Sequence, residues 1–462
     1  VVTLLYVGLP RKIRWVWLLV SSYYFYMNWH AEYALLMAAS TVVTYLCALA
    51  VSRFQKTKAR KAVLVGGIVF NLGMLGYFKY TGMLVDVLDR VCGALGFAAR
   101  LPQVDILLPV GISFFTFQAL GYMIDVYKGR TKAETNLFRY ALFISFFPQL
   151  VAGPIERSNR LLKQLSEPHD FDFRRARDGL LIMLLGFFEK VVIADRAAIY
   201  VNAIFGNWVE SSGAQIALAT AVFAVQALCD FAGSSYIAIG TAKVLGVELM
   251  TNFRQPYFAH SVTNFWARWH ISLSSWFRDY IYFPLGAGRK GPVRKALNVM
   301  IVYTVSGLWH GAGWLFMRWG LMHGAASVLY RLFRKPYDGL HPALQWLINF
   351  GFIVVAWVFF RAASLTDALA IVKSMLLMDF GPLRSSITSA FALPGGFHEG
   401  YNAVYMMVWY AASLFACLGL RNTYEKTMDF RPTVANALTT VLMILYCTLS
   451  LSSVSVFLYF NF

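Results

Sequence analysis

Charge is scarce in this 462-residue chain: Asp, Glu, Lys and Arg together make up 14% of it, against roughly a quarter in soluble proteins. Too few charges remain to solvate a soluble surface. Acidic residues are scarcer still, 23 against 41 Lys and Arg. The net charge of +18 is read as basic cytoplasmic loops facing anionic lipid headgroups, not as a nucleic-acid surface. Cysteine is also limited. Cys47, Cys92, Cys229, Cys417 and Cys447 form no C-x-x-C and lie mostly in apolar stretches, which argues against a disulfide framework or a thiolate metal site. There is no G-x-S-x-G elbow, Walker loop or H-E-x-x-H. The G-A-G-R-K-G at Gly286 lacks the strand and βαβ context of a dinucleotide site and reads as a basic loop. His260 and His270 have no carboxylate cluster with which to complete a metal site.

What is abundant is apolar: 58% hydrophobic and 16% aromatic residues, with a mean hydropathy of +0.56. This composition predicts an all-α polytopic membrane protein forming one domain over 1–462, because lipid accepts only helices or closed barrels. Apolar segments fall near 15–29, 32–52, 62–80, 106–127, 137–152, 180–203, 214–243, 296–310, 312–330, 343–361, 401–420 and 433–460, about 11–12 helical segments by periodicity and length. Basic clusters separate them at Arg11–Arg14, Arg53–Lys61, Lys128–Arg139, Arg157–Arg177, Arg289–Arg294 and Arg331–Lys335. If each marks the cytoplasm, the spans between them pair. The segment 137–152 is short, lies between two basic clusters and runs into P-Q-L-V-A-G-P-I from Pro148, so it is expected to be a re-entrant or surface element. The loop 379–400 is expected on the outer side. The chain begins at Val1 and not at methionine, so a preceding segment is expected. No cleavable signal peptide is visible, and insertion is expected to rest on the spans themselves.

Between Ser306 and Trp314 the sequence reads S-G-L-W-H-G-A-G-W, placing His310 inside a bilayer-compatible run. An ionisable group at membrane depth is a functional-site hypothesis by default. Counted from Lys295, His310 lies about 22 Å up a helix, past the middle of an apolar core about 30 Å thick. The Gly311–Gly313 stretch would let the chain turn or a ligand approach. A histidine bonded to a neighbouring helix carbonyl is the competing, purely structural reading.

A second constellation, F-W-A-R-W-H-I-S-L-S-S-W-F-R-D-Y-I-Y-F-P-L-G from Phe265, puts Trp266, Trp269 with His270, Leu273, Trp276 and Tyr280 at helical spacing. It reads as a helix at the interface, where tryptophans also serve simply as anchors. Arg278, beside Asp279, is a candidate partner for phosphate or carboxylate. Other polar groups at depth are Asp230, a candidate to orient an imidazole or bind a polar group, Asp125, Arg318, His323, and the Glu189–Lys190 pair, expected to neutralise each other.

Five strings together, L-L-P-V-G-I-S-F-F-T-F-Q from Leu107, F-F-P-Q-L-V-A-G-P-I-E-R from Phe146, N-F-R-Q-P-Y from Asn252, the Phe265 string and S-G-L-W-H-G-A-G-W, resemble the membrane-bound O-acyltransferases, most closely the bacterial branch acting on alginate, peptidoglycan or cellulose. The similarity runs to about residue 335, followed by C-terminal helices over 336–462. It implies helices around a membrane-crossing funnel, with His310 as the catalytic histidine and His270 as a second functional one. Trp309, Trp269, Arg278, Asp279, Asp230 and Ser306 are the candidate substrate-binding residues. The resemblance also implies a bacterial inner-membrane location, acetyl-CoA as donor substrate with no permanently bound cofactor or metal, a polysaccharide acceptor, and a periplasmic acetyltransferase subunit that completes delivery. The chain departs from the family's usual D-F-S-G-Y-S-D at Asp230–Tyr236, where the second aspartate is missing. Three alternatives remain: D-alanyl transfer to teichoic acid from a carrier protein, a transporter, and a scaffold that recruits a transferase.

Overall fold

The computed structural model describes residues 1–96, 106–381, 404–412 and 430–451. It is built from helices, with no strand among the described residues. The first helices are α1 (Val2–Gly8), α2 (Arg14–Met27), α3 (Tyr33–Arg53), α4 (Thr57–Ala94) and α5 (Ile112–Tyr127). There follow α6 (Leu137–Ser145), α7 (Phe147–Leu150), α8 (Ser158–Ser166), α9 (Phe173–Phe187), α10 (Asp195–Gly206) and α11 (Gly213–Val244). Next come α12 (Val262–Trp266), α13 (Ile271–Phe277), α14 (Pro292–His310), α15 (Trp314–Leu332), α16 (Arg334–Asp338), α17 (Pro342–Arg361) and α18 (Leu365–Leu377). The last are α19 (404–412) and α20 (Val434–Ser450). Among the described residues α3, α4, α11 and α17 are each long and apolar enough to cross a membrane.

The basic clusters gather at one end of this bundle. Arg60, near the start of α4, donates Nη2 to the carbonyl of Tyr127 at the end of α5 at 3.0 Å, and Arg14 at the start of α2 donates to the carbonyl of His169 at 2.6 Å. α14 begins and α15 ends at the same basic end. At the opposite end the Tyr26 hydroxyl donates to the Val110 carbonyl at 3.0 Å and the Tyr33 hydroxyl to that of Leu107 at 2.9 Å, tying α2 and α3 to the entry of α5.

Three segments depart from unbroken helices. The stretch at 137–152 is interrupted at Phe146, and its first half, nine residues long, is too short to span a bilayer. It is held inside by two glutamines: Gln118 Nε2 donates to the Phe143 carbonyl at 2.6 Å, and Gln149 Nε2 to Gln118 Oε1 at 3.0 Å. The run 180–203 is continuous but carries a π-helical turn at Phe188–Ala194. That turn sets Lys190 Nζ between Asp195 Oδ1 at 2.8 Å and Asp230 Oδ1 at 2.6 Å. The expected neutralisation of Lys190 by Glu189 is therefore corrected. Adjacent helical residues point in different directions, and Lys190 reaches one turn ahead and across to α11. The third departure is the aromatic stretch after Phe265. It divides into α12, a break at 267–270, α13 and a π-helical turn at Arg278–Tyr282, and its tryptophans face the core: Trp266, Trp269 and Trp276 are all buried. The loop at 379–400 and the apolar run at 401–420 lie largely outside the described residues.

Candidate active site

α14 and α15 form a hairpin whose turn presents His310. The two helices touch at Gly307 and Gly320, where a Cβ on either would strike the backbone carbonyl of Phe316 or Tyr303 on its neighbour. That contact admits only glycine and fixes the last turn of α14. His310 ends the helix, and Gly311 and Gly313 continue in extended conformation, at φ −161° and −162°. Gly311 is required by space and not by backbone hand, since a Cβ there would enter the Phe316 ring. The His310 ring is 2% exposed, edge-on to Trp309, Trp319 and Phe360 with centroids at 4.9, 5.1 and 5.7 Å.

His270 packs against Trp309 as well. Its ring lies 5.5 Å from the Trp309 ring, 4.6 Å from Phe231 and 6.4 Å from Phe114, and it is fully buried. Neither of its ring nitrogens has a hydrogen-bond partner among the described residues. Its backbone sits in the left-handed region, φ 43° and ψ 56°, a conformation costing on the order of 1–3 kcal/mol that survives only where surroundings impose it. Here the surroundings are a buried polar chain. Asn252 Oδ1 accepts from Ser272 Oγ at 2.6 Å, Asn252 Nδ2 donates to Ser235 Oγ at 2.9 Å, and Ser235 donates to the Ala152 carbonyl at 3.1 Å. The amide of Ile155 returns to Ser272 Oγ at 3.0 Å, and the Ile271 amide to the Asn252 carbonyl at 2.9 Å. Four segments distant in sequence thus converge to hold one histidine.

Two cavities lie near this aromatic cluster. The first, about 380 Å³, begins at the basic end beside Arg278 and Arg331 and climbs α14 past Val299, Val302 and Tyr303 to Ser306, one helical turn below His310. The second, about 190 Å³, lies toward the opposite end. It is lined by Trp309 and His310, by Phe114 and the Pro109–Ser113 entry of α5, and by Lys79 of α4.

The candidate residues divide accordingly. Ser306 and Arg278 line the first cavity, and Trp309 and His310 the second. Asp279 is bridged by Arg157 Nη2 and Arg278 Nε, each at 3.1 Å, so it orients Arg278 at the mouth. Trp269 is buried between Phe253, Phe265 and Trp357 and lines neither cavity. Asp230 pairs with Lys190, while the next residue, Phe231, supports His270. His323 lies deep as well, accepting from Trp266 Nε1 at Nδ1 at 3.2 Å. Glu156, in the loop after α7, is buried with its Oε1 accepting from the Met250 amide and no partner for Oε2 among the described residues, and burial pushes its carboxyl up to about 7. The sequence reading missed Lys79, Arg157 and Arg331. Lys79 was open to the rule that found His310, since F-K-Y interrupts a long apolar run.

The model of the MBOAT, membrane-bound O-acyltransferase family matches residues 131–366, which include both histidines. The chain is 32% identical to a peptidoglycan O-acetyltransferase of Helicobacter pylori, over 97% of this chain and 91% of the relative. It is 37% identical to a probable alginate O-acetylase of Pseudomonas aeruginosa, over 79% and 70%. A teichoic acid D-alanyltransferase of Bacillus subtilis is 27% identical over 56% of this chain and 70% of the relative.

Proposed function

This chain belongs to the membrane-bound O-acyltransferase family, and from that premise we propose that it takes an acetyl group from acetyl-CoA at the cytoplasmic face and passes it at His310 toward hydroxyls of a cell-envelope polysaccharide, such as alginate, peptidoglycan or cellulose. A periplasmic acetyltransferase subunit completes delivery, and the location is the bacterial inner membrane. The observation that carries this reading is the place of His310: it lines the cavity toward the far end, and it lies one helical turn beyond Ser306, where the cavity rising from the basic end stops. Basic ends face the cytoplasm, so the donor would enter on the Arg278 side, toward Ser306, and the acceptor on the Lys79 side, where His310 lines the cavity.

The chemistry follows from the groups present. Arg278 and Arg331 at the mouth attract the phosphates of the donor, and the apolar walls along Val299, Val302 and Tyr303 accept its slender acyl-bearing arm. His310, a neutral imidazole, takes the proton from an attacking hydroxyl as the hydroxyl oxygen bonds to the thioester carbonyl carbon. The carbon–sulfur bond breaks, and the thiolate leaves with the proton returned by the imidazolium. Closure of the site by Trp309, Trp319 and Phe360 keeps water from competing.

The test is turnover by purified protein in nanodiscs with radiolabelled acetyl-CoA. Thioester loss by the wild type that disappears in a folded His310→Ala variant supports the reading; equal loss by both refutes it. The similarity to the Bacillus relative favours one second reading, a carrier-bound donor for D-alanyl transfer. That reading predicts no consumption of free acetyl-CoA and turnover only with an acidic carrier protein.

A further inference from the structure

A helix ending at a reactive residue leaves its last carbonyls without intrahelical partners, and they carry the negative end of the helix dipole. In α14 those carbonyls belong to Gly307, Leu308, Trp309 and His310. α4 answers three of them with two consecutive side chains. Lys79 Nζ donates to the Trp309 carbonyl at 2.6 Å and to the His310 carbonyl at 3.3 Å, and the Tyr80 hydroxyl donates to the Leu308 carbonyl at 2.6 Å. The same ammonium lies 5.9 Å from the centre of the Trp309 ring and lines the outer cavity with His310.

A lysine within an apolar helix is costly unless its charge is used. Here it lies on the backbone of the residue that presents the imidazole. The His310 ring is confined by Trp309, Trp319 and Phe360, but these set its tilt; its height along the α14 axis depends on where the helix ends. We propose that Lys79 is a positioning residue for the transfer: with Tyr80 it clamps the C-terminal carbonyls of α14 and so fixes the imidazole of His310 in the wall of the outer cavity. The proposal rests on the reading of His310 as the transfer residue. It does not require Lys79 to touch donor or acceptor.

Lys79→Met keeps the length of the side chain and removes the donors. A displacement of about 1 Å at a reacting group costs on the order of 100-fold in rate, so kcat for acetyl-CoA consumption is expected to fall by that order. KM for acetyl-CoA is expected to stay within about twofold, since the donor cavity lies along another stretch of α14. Lys79→Arg, which restores charge and donors, is expected to recover part of kcat. A merely structural lysine would instead lower folded yield and Tm with kcat per folded molecule unchanged, and that result overturns the proposal, as does unchanged kcat in a well-folded Lys79→Met. If Lys79→Met cannot be obtained folded, Tyr80→Phe decides: lower kcat at unchanged KM supports the clamp, and wild-type kcat overturns it. His310→Ala in the same assay separates the two failures. An active His310→Ala removes the premise, whereas an inactive His310→Ala beside a fully active Lys79→Met removes only the clamp.

Discussion

Replacing Lys190 by methionine tests the charge balance of the core. Lys190 Nζ is the shared partner of Asp195 and Asp230, at 2.8 and 2.6 Å, and all three side chains are at least nine-tenths buried. Lys190→Met would leave two carboxylates facing the space of one lost ammonium. Two like charges about 5 Å apart repel by about 3 kcal/mol at an effective dielectric constant of about 20, and breaking a buried ion pair by deleting one partner costs about 3–5 kcal/mol. The two routes agree, so a destabilisation of about 3–5 kcal/mol is expected. Asp230→Asn keeps an acceptor oxygen and leaves the Lys190–Asp195 pair intact, and it should cost less, about 1.5–3 kcal/mol for a weakened charge-assisted hydrogen bond. Combining Lys190→Met with Asp195→Asn and Asp230→Asn removes these three charges together and should recover much of the loss. The assay is thermal unfolding in detergent followed by tryptophan fluorescence, with the order wild type, Asp230→Asn, Lys190→Met in falling Tm. Lys190→Met as stable as wild type, or less harmful than Asp230→Asn, would refute the reasoning.

Other outcomes follow from the same geometry. Glu156 has its folded-state pKa raised from 4.5 to about 7, so the native state binds its proton more tightly than the unfolded chain. Its contribution to stability is present below about pH 4.5 and lost as pH rises through about 7, amounting to about 3 kcal/mol at about 1.4 kcal/mol per pH unit. Tm measured from pH 5 to 8 should fall more steeply for wild type than for Glu156→Gln, and parallel curves would count against it. Ser272→Ala removes the hydroxyl that joins Asn252 to the Ile155 amide. It should cost about 1–3 kcal/mol for the buried groups left unpaired and lower kcat through His270, measured by thermal unfolding and turnover together. Gly307→Ala drives a methyl into the α14–α15 contact and should cost about 1–3 kcal/mol, with loss of turnover exceeding loss of folded protein because His310 is three residues on.

The helices legible in the sequence are those whose packing agrees with their composition. α3, α11, α14, α15 and α17 begin and end within a few residues of the apolar runs, because the basic clusters and the Pro292 and Pro342 starts mark their boundaries. His310 was legible because a polar group in an apolar run has few structural uses. Lys79 sits one residue from the end of the apolar run 62–80, where its role is not legible, whereas α4 continues to Ala94 and carries it in its interior. His270 could be suspected but not placed. The spacing of Trp266, Trp269, Leu273 and Trp276 suits one continuous helix, and the break at 267–270 is imposed by Asn252, Ser272 and Ser235, residues whose pairing depends on segments 17 and 20 positions apart. Asp230 lies deep in an apolar run, a place that suits a partner for an imidazole. Only the π-helical turn at Phe188–Ala194 reveals that Lys190 reaches it first, and such turns leave no mark in hydrophobic periodicity.

The most direct test of the account uses sealed proteoliposomes of one orientation, with radiolabelled acetyl-CoA supplied only at the basic face and an acceptor hydroxyl compound with the periplasmic subunit only at the other. The account predicts that label appears on the far side with wild-type protein and that both transfer and thioester loss vanish in folded His310→Ala. Transfer undiminished in that variant would contradict it.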